Sequence, residues 1–267
     1  MEDGTPTRRR GGRVVNVQPR FWEPTFALAQ RELVRFFRQR GRVFGALGTP
    51  LFLWALLGTG FGRHFQASHL GGGESYLGYF FPGMIAMVVL FTAVFSAISI
   101  IQDRTGGVLQ AVVVSPVPRA AVALGLVLGG TAVAAIQALI LLPLSLQVGG
   151  QLSLLGVTLA VASILAMAIG VGATALLFAW RSASVQSFHA IMNLVLFPMW
   201  ILSGALFPPS GWLGKLMLLN PVTYAVAALR ASLFPGGGGM PLWLALGVSW
   251  AFAVAAIGAA SAVVRRA

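Results

Sequence analysis

Two stretches of this chain place side chains at spacings that could do chemistry, and in both the chemistry is recognition, not bond-breaking. The first, residues 102–120, opens QDRTGG and closes SPVPR. Asp103 and Arg104 stand side by side, and Gly106-Gly107 breaks the backbone. An apolar run from Val108 to Val114 holds Leu109 and Val112, and Ser115, Pro116, Val117, Pro118 and Arg119 end it. Prolines at 116 and 118 cannot continue a helix and bias the residues before them toward extended backbone. The stretch reads as a short helix with a rigid end, charged at both roots. The second is a stripe in which Ser182, Gln186, His189 and Asn193 recur at i, i+4, i+7 and i+11, continuing through Phe197, Trp200 and Gly204. On a helix these share one face, polar at one end and aromatic at the other. Such a face suits the passage of an amphipathic molecule, and equally suits hydrogen bonding between packed helices. Met84, Phe91 and Phe95 form a softer stripe, readable as packing or as substrate surface.

The composition leaves out several other kinds of chemistry. The acidic residues are Glu2, Asp3, Glu23, Glu32, Glu74 and Asp103, none expected in the middle of a membrane span. Proton- or sodium-coupled carriers commonly place a carboxylate at that depth. Gly211-Trp212-Leu213-Gly214-Lys215 is the nearest approach to a phosphate loop, but Leu216 stands where a magnesium-binding hydroxyl belongs. There is no cysteine, the three histidines are far apart in sequence, and no hydrolase motif or carboxylate pair occurs. The expectation is a chain that is not itself an enzyme, binds no metal and no cofactor, and draws its energy from a partner.

The elements that must hold these residues are membrane helices. Of 267 residues, 57% are hydrophobic and 9% charged, against roughly 25% charged in a soluble domain. Spans are expected at about 43–61, 78–101, 121–146, 152–180, 188–207 and 242–264, in a membrane domain covering 43–267. Residues 208–241, with Pro208-Pro209, Asn220-Pro221 and Gly236 to Gly239, are too broken to span. Residues 21–42 read as an amphipathic interfacial helix. Arg31, Arg35, Arg38 and Arg42 form one face for lipid headgroups, and Phe26, Ala29, Leu33 and Phe37 another for the acyl boundary; a solvated surface helix is the other reading. Residues 1–20 are expected to form a disordered basic tail, since no apolar stretch of the signal-peptide kind follows it directly. Although the net charge is +12, the arginines gather near the N-terminus and at span ends, where they fit a membrane surface better than nucleic acid. Six spans put both ends of the chain on one side. Fifteen arginines then share that side with 102–120, against Arg63, Lys215 and Arg230 opposite, which makes it the cytoplasmic side. The two halves show no convincing repeat, so an inverted-repeat carrier has no support.

Two motifs at set places relative to those spans carry a resemblance. Gly107-Val108-Leu109 through Val114-Ser115-Pro116-Val117-Pro118-Arg119 is similar to a GTL...LLVSPVSR segment, and Asn220-Pro221-Val222-Thr223-Tyr224-Ala225 through Leu229-Arg230 to NPLTYAVEALR. Both segments belong to membrane subunits of ABC-2 type exporters, a family that includes drug-resistance and polysaccharide or lipid-linked glycan exporters. The likeness covers roughly residues 21–265. Gly107 replaces the family's threonine, and fewer charges precede it. The resemblance implies an all-α, type V exporter-like fold with short extracellular re-entrant helices over 208–241, in a prokaryotic cytoplasmic (inner) membrane. It implies two copies of an ATP-binding cassette ATPase holding ATP and Mg, and a second permease, most simply an identical copy. The helix from about Thr105 to Val114 would be its coupling helix, anchored by Asp103, Arg104 and Arg119; an ordinary solvated loop is the plain alternative. Gln186, His189, Asn193, Phe197 and Trp200, with Met84, Phe91 and Phe95, would line the pathway. Asn220 and Pro221 would break the outer segment and Tyr224 would sit at headgroup level. Arg230 would bind an anionic substrate group, anchor to lipid phosphate or cap a helix carbonyl. A scaffold for a cytoplasmic protein, or a membrane-embedded enzyme, is the competing function.

Overall fold

A computed structural model describes residues 21–62, 75–107, 117–234, 236–237 and 239–266. The expected tail and the apolar part of the 102–120 stretch, with Leu109, Val112, Ser115 and Pro116, lie outside the described residues. The elements are α1 (Trp22–Arg38), α2 (Arg40–Gly62), α3 (Tyr76–Thr105), α4 (Arg119–Leu141), a 3-10 turn (Leu142–Val148), α5 (Leu154–Arg181) and α6 (Val185–Trp200). A π turn (Ile201–Ala205), α7 (Gly211–Met217), α8 (Pro221–Leu233) and α9 (Leu242–Arg266) follow. The protein is an all-α polytopic membrane protein: α2, α3, α4 with its 3-10 extension, α5, α6 with its π turn, and α9 are long and apolar enough to cross a membrane. Below, the loop side is the side on which α3 ends and α4 begins, and the far side is the other.

Polar side chains cap the starts of four of these helices. Ser75, Ser153 and Ser184 each accept a hydrogen bond from a first-turn amide, at 3.2, 3.0 and 3.2 Å. Such caps satisfy amides that have no partner within the helix. Asn220 caps α8 in the same way through Val222 N, with Pro221 in the first helical turn. α7 and α8 meet at 98°, too sharply for one continuous span.

The core is α3, with 83% of its most apolar window buried, packed against α5, α4 and α6. α2 and α9 flank the bundle, with exposed apolar faces that include Phe44, Phe52, Trp243 and Val254. Lipid is the natural solvent for such faces. α3 itself runs through Asp103 to Thr105, so these residues form the end of a span, where a separate short helix was expected to begin at Thr105. The third span tightens after Leu141 because Pro143, in the first turn of the 3-10 segment, has no amide to offer.

α1 ends at Gln39, whose backbone leaves helical geometry at ψ 84°. Its buried face is neither of the two faces read from sequence. Thr25, Leu28, Glu32 and Phe36 turn inward, while Phe26 and Phe37 are exposed. The inward face lies on α4 at Gly125 and Gly129. A β-carbon at Gly125 would stand 2.7 Å from the Thr25 carbonyl oxygen, and one at Gly129 2.7 Å from Glu32 Cβ. The small residues of α4 thus serve contact within the chain.

Candidate functional site: a cavity wired to the loop

α3 runs from the far side to the loop side and α6 runs back, so the two present antiparallel faces to each other. Between them lies a cavity of about 120 Å³. Met87, Leu90, Phe91, Val94 and Phe95 form one wall; His189, Met192, Asn193, Leu196, Phe197 and Trp200 form the other. His189 and Asn193 are its hydrogen-bonding side chains, and both are exposed at its rim. The structure therefore brings together His189, Asn193, Phe197, Trp200, Phe91 and Phe95 from the two stripes. Met84 is excluded: it is fully buried among Phe81, Ile85, Val88 and Leu141, because its face of α3 turns toward α4 instead of α6. Gln186 is exposed one turn toward the loop side and does not line the cavity.

At the loop-side root of the cavity, Asp103 and Arg104 point opposite ways. Arg31 and Arg35 of α1 grip Asp103, at 2.9 and 2.5 Å. Arg42 of α2 donates to Ser99 Oγ at 2.5 Å and to Gln102 Oε1 at 3.2 Å. Three of the four arginines expected at lipid headgroups thus direct donors to the end of α3, two of them to the buried Asp103 carboxylate; Arg38 is exposed. Arg104 donates to the carbonyls of Trp180 and Ser182, where α5 hands over to α6. Gly107, with φ +79°, ends the described α3 side of the loop in a conformation that glycine adopts readily. On the other side Pro118 opens α4, and Arg119 donates to the Arg265 carbonyl at the end of α9.

Glu32 was not singled out by the sequence reading. It is buried against α4 beneath this cluster, with one carboxylate oxygen that has no hydrogen-bond partner among the described residues. Burial pushes its pKa up; Arg35, Arg42 and a hydrogen bond from Ser99 pull it down, and Asp103 adds to the rise. The signal was present in sequence: Glu32 falls in line with Thr25, Leu28 and Phe36 at i, i+3, i+7 and i+11.

On the far side, Arg230 is buried. Its guanidinium lies 4.0 Å from the Tyr79 ring centroid and donates to the carbonyls of Tyr79 and Gly204, at 3.2 and 2.9 Å. Donation to backbone carbonyls is thus among the roles expected for it. Tyr224 donates to the Leu218 carbonyl at 2.9 Å, closing the bend between α7 and α8, and Trp212 is exposed nearby.

A family model described as ABC-2 type transporter matches residues 23–234. The chain belongs to that family. This ABC-2 protein is therefore a membrane component of a transporter, as its six apolar spans require, and permease subunits of this kind imply partnership with an ATP-binding cassette ATPase. No curated protein matches the ABC-2 chain. The match covers α1 from Glu23, the Asp103 and Arg104 contacts, the cavity and α8, and stops short of α9.

Proposed function

We propose that this permease exports an amphipathic, lipid-linked or drug-like compound, driven by two copies of an ATP-binding cassette ATPase that seat against residues 108–116 on the cytoplasmic side. The observation that carries the reading is the pair at the root of that loop. Asp103 ties the end of α3 to α1, and Arg104 ties it to the start of α6, so displacement of the loop moves both cavity walls together. The arginine asymmetry orients the loop toward the cytoplasm. His189 and Asn193, exposed on a span, would be poorly placed against lipid and are well placed against a polar substrate head or a second copy of the chain. Phe91, Phe95, Phe197 and Trp200 accept an apolar body. ATP and Mg belong to the ATPase, and the second permease in this reading is an identical copy.

The test is Arg104→Ala in the permease–ATPase complex reconstituted in liposomes, with export of a panel of amphipathic dyes measured against ATP hydrolysed. The complex is expected to assemble and hydrolyse ATP, while export per ATP falls on the order of tenfold, as befits the loss of charge-assisted hydrogen bonds. Unchanged export per ATP would contradict the wiring.

A further inference from the structure

Toward the far side, α6 loses its regular helix. Residues 201–205 form a π turn and Gly204 lies at φ +73°, so the regular i→i+4 ladder that supplies a helix's carbonyls with donors is interrupted. In a membrane span such carbonyls need partners from elsewhere. They have them, and the donors belong to two other elements. Asn220 Nδ2 reaches the Met199 carbonyl at 2.5 Å, and Thr223 Oγ1 the Leu202 carbonyl at 3.1 Å, both from α8. The Gly204 carbonyl accepts from the Tyr79 hydroxyl of α3 and from Arg230 of α8, each at 2.9 Å. The Leu206 carbonyl accepts from the Tyr76 hydroxyl at 3.1 Å. Trp200, the last cavity residue toward the far side, donates its indole N–H to the Gly83 carbonyl at 2.8 Å. Beyond it the π turn closes on α3 so tightly that a β-carbon at Gly83 would stand 2.5 Å from Ala205 Cβ.

We infer that the broken end of α6 is the far-side gate of the cavity, hinged at Gly204 and held shut by Tyr79 and Arg230 as positioning residues. This rests on the reading of the cavity as a pathway. The chemistry makes the segment two-state. Closed, its carbonyls are satisfied by α3 and α8; open, water entering from the far side takes over the same acceptors. Tyr79 and Arg230 converge on one oxygen at the hinge, so their release frees the turn where it is able to rotate. The guanidinium stays over the Tyr79 ring, keeping the two donors moving as a unit.

The chain has no cysteine, which makes an accessibility test direct. Asn193→Cys places a thiol in the cavity, and a membrane-impermeant maleimide is applied from the far side to the ATP-free permease–ATPase complex in liposomes. With Tyr79 and Arg230 intact the thiol is expected to be shielded. Tyr79→Phe, which keeps the ring and removes one donor, is expected to raise the labelling rate on the order of tenfold, the worth of one buried hydrogen bond. Arg230→Met is expected to raise it further, and Arg230→Lys to restore part of the shielding. Equal labelling in all four chains overturns the gate, whether the thiol is always reached or never reached. Since Tyr79→Phe leaves the aromatic packing in place, its result reads the gate even if Arg230→Met does not fold. A complex that exports none of the dyes yet shows the graded labelling leaves the gate standing and removes the export reading.

Discussion

Glu32 is the buried carboxyl on the face of α1 that packs against the bundle. Its β-carbon lies against Gly129 of α4, and its carboxyl feels Arg35 on its own helix, Arg42 on α2, and Ser99 and Asp103 on α3. Burial raises its pKa above the ordinary value of 4.5. A carboxyl raised in the folded state contributes its full stability below the free value, and that contribution drains as pH rises through the folded value. Glu32→Gln is therefore expected to change the thermal midpoint of the detergent-solubilised protein little near pH 4, and to raise it relative to the parent at about pH 8. The same shift at both pH values would show that shape and not charge matters at this site. The arginines around it show how far a helical period reaches. Spacing placed Arg31, Arg35, Arg38 and Arg42 on one face but could not reveal that Asp103, on a span more than sixty residues later, would be their acceptor. A lipid phosphate and a carboxylate make the same demand on an arginine in sequence.

At the scale of elements, the six spans were legible because apolar length is a strong signal, and the observed helices start and stop within a few residues of expectation. The broken far-side segment was legible through Asn220-Pro221. What sequence could not supply was which faces meet. Met84 shares a helix with Phe91 and Phe95 yet turns away from the cavity, because α3 is buried nearly all round and every face of it is apolar. α1 has three faces, not two, and the buried one is recognised by its fit to Gly125 and Gly129. Gly129→Leu should force α1 off α4, since the neighbouring atoms are the Glu32 β-carbon and the Ala29 carbonyl at 3.1 Å. A cost of about 1–3 kcal/mol is expected, as for overpacking elsewhere. Gly247→Ala is the control: a β-carbon there meets nothing within 4 Å, so it is expected to be neutral or mildly stabilising. Equal losses in the two variants, read as thermal midpoints in the same detergent, would show that α1 does not depend on the close approach.

For the molecule as a whole, the same two helices, α3 and α6, wall the cavity, reach the loop at one end and carry the hinge at the other. Asp103 and Arg104 connect them to the loop, and Tyr79 and Arg230 pin them on the far side. In the proposed reading, a push at the loop is thereby carried to both helices together instead of being lost in a flexible connection. The most direct test is co-purification of the tagged chain from its native membrane, with ATP hydrolysis measured on the product, for the parent and for Gly107→Leu combined with Pro116→Ala. Leucine at a φ of +79° costs about 1–2 kcal/mol and distorts the start of the loop, while alanine at 116 removes its rigid end. The account predicts that an ATP-binding cassette protein accompanies the parent chain, and that the double variant loses it or leaves its hydrolysis uncoupled from export. A parent chain that brings down no ATPase, or a double variant that exports as well as the parent, would contradict it.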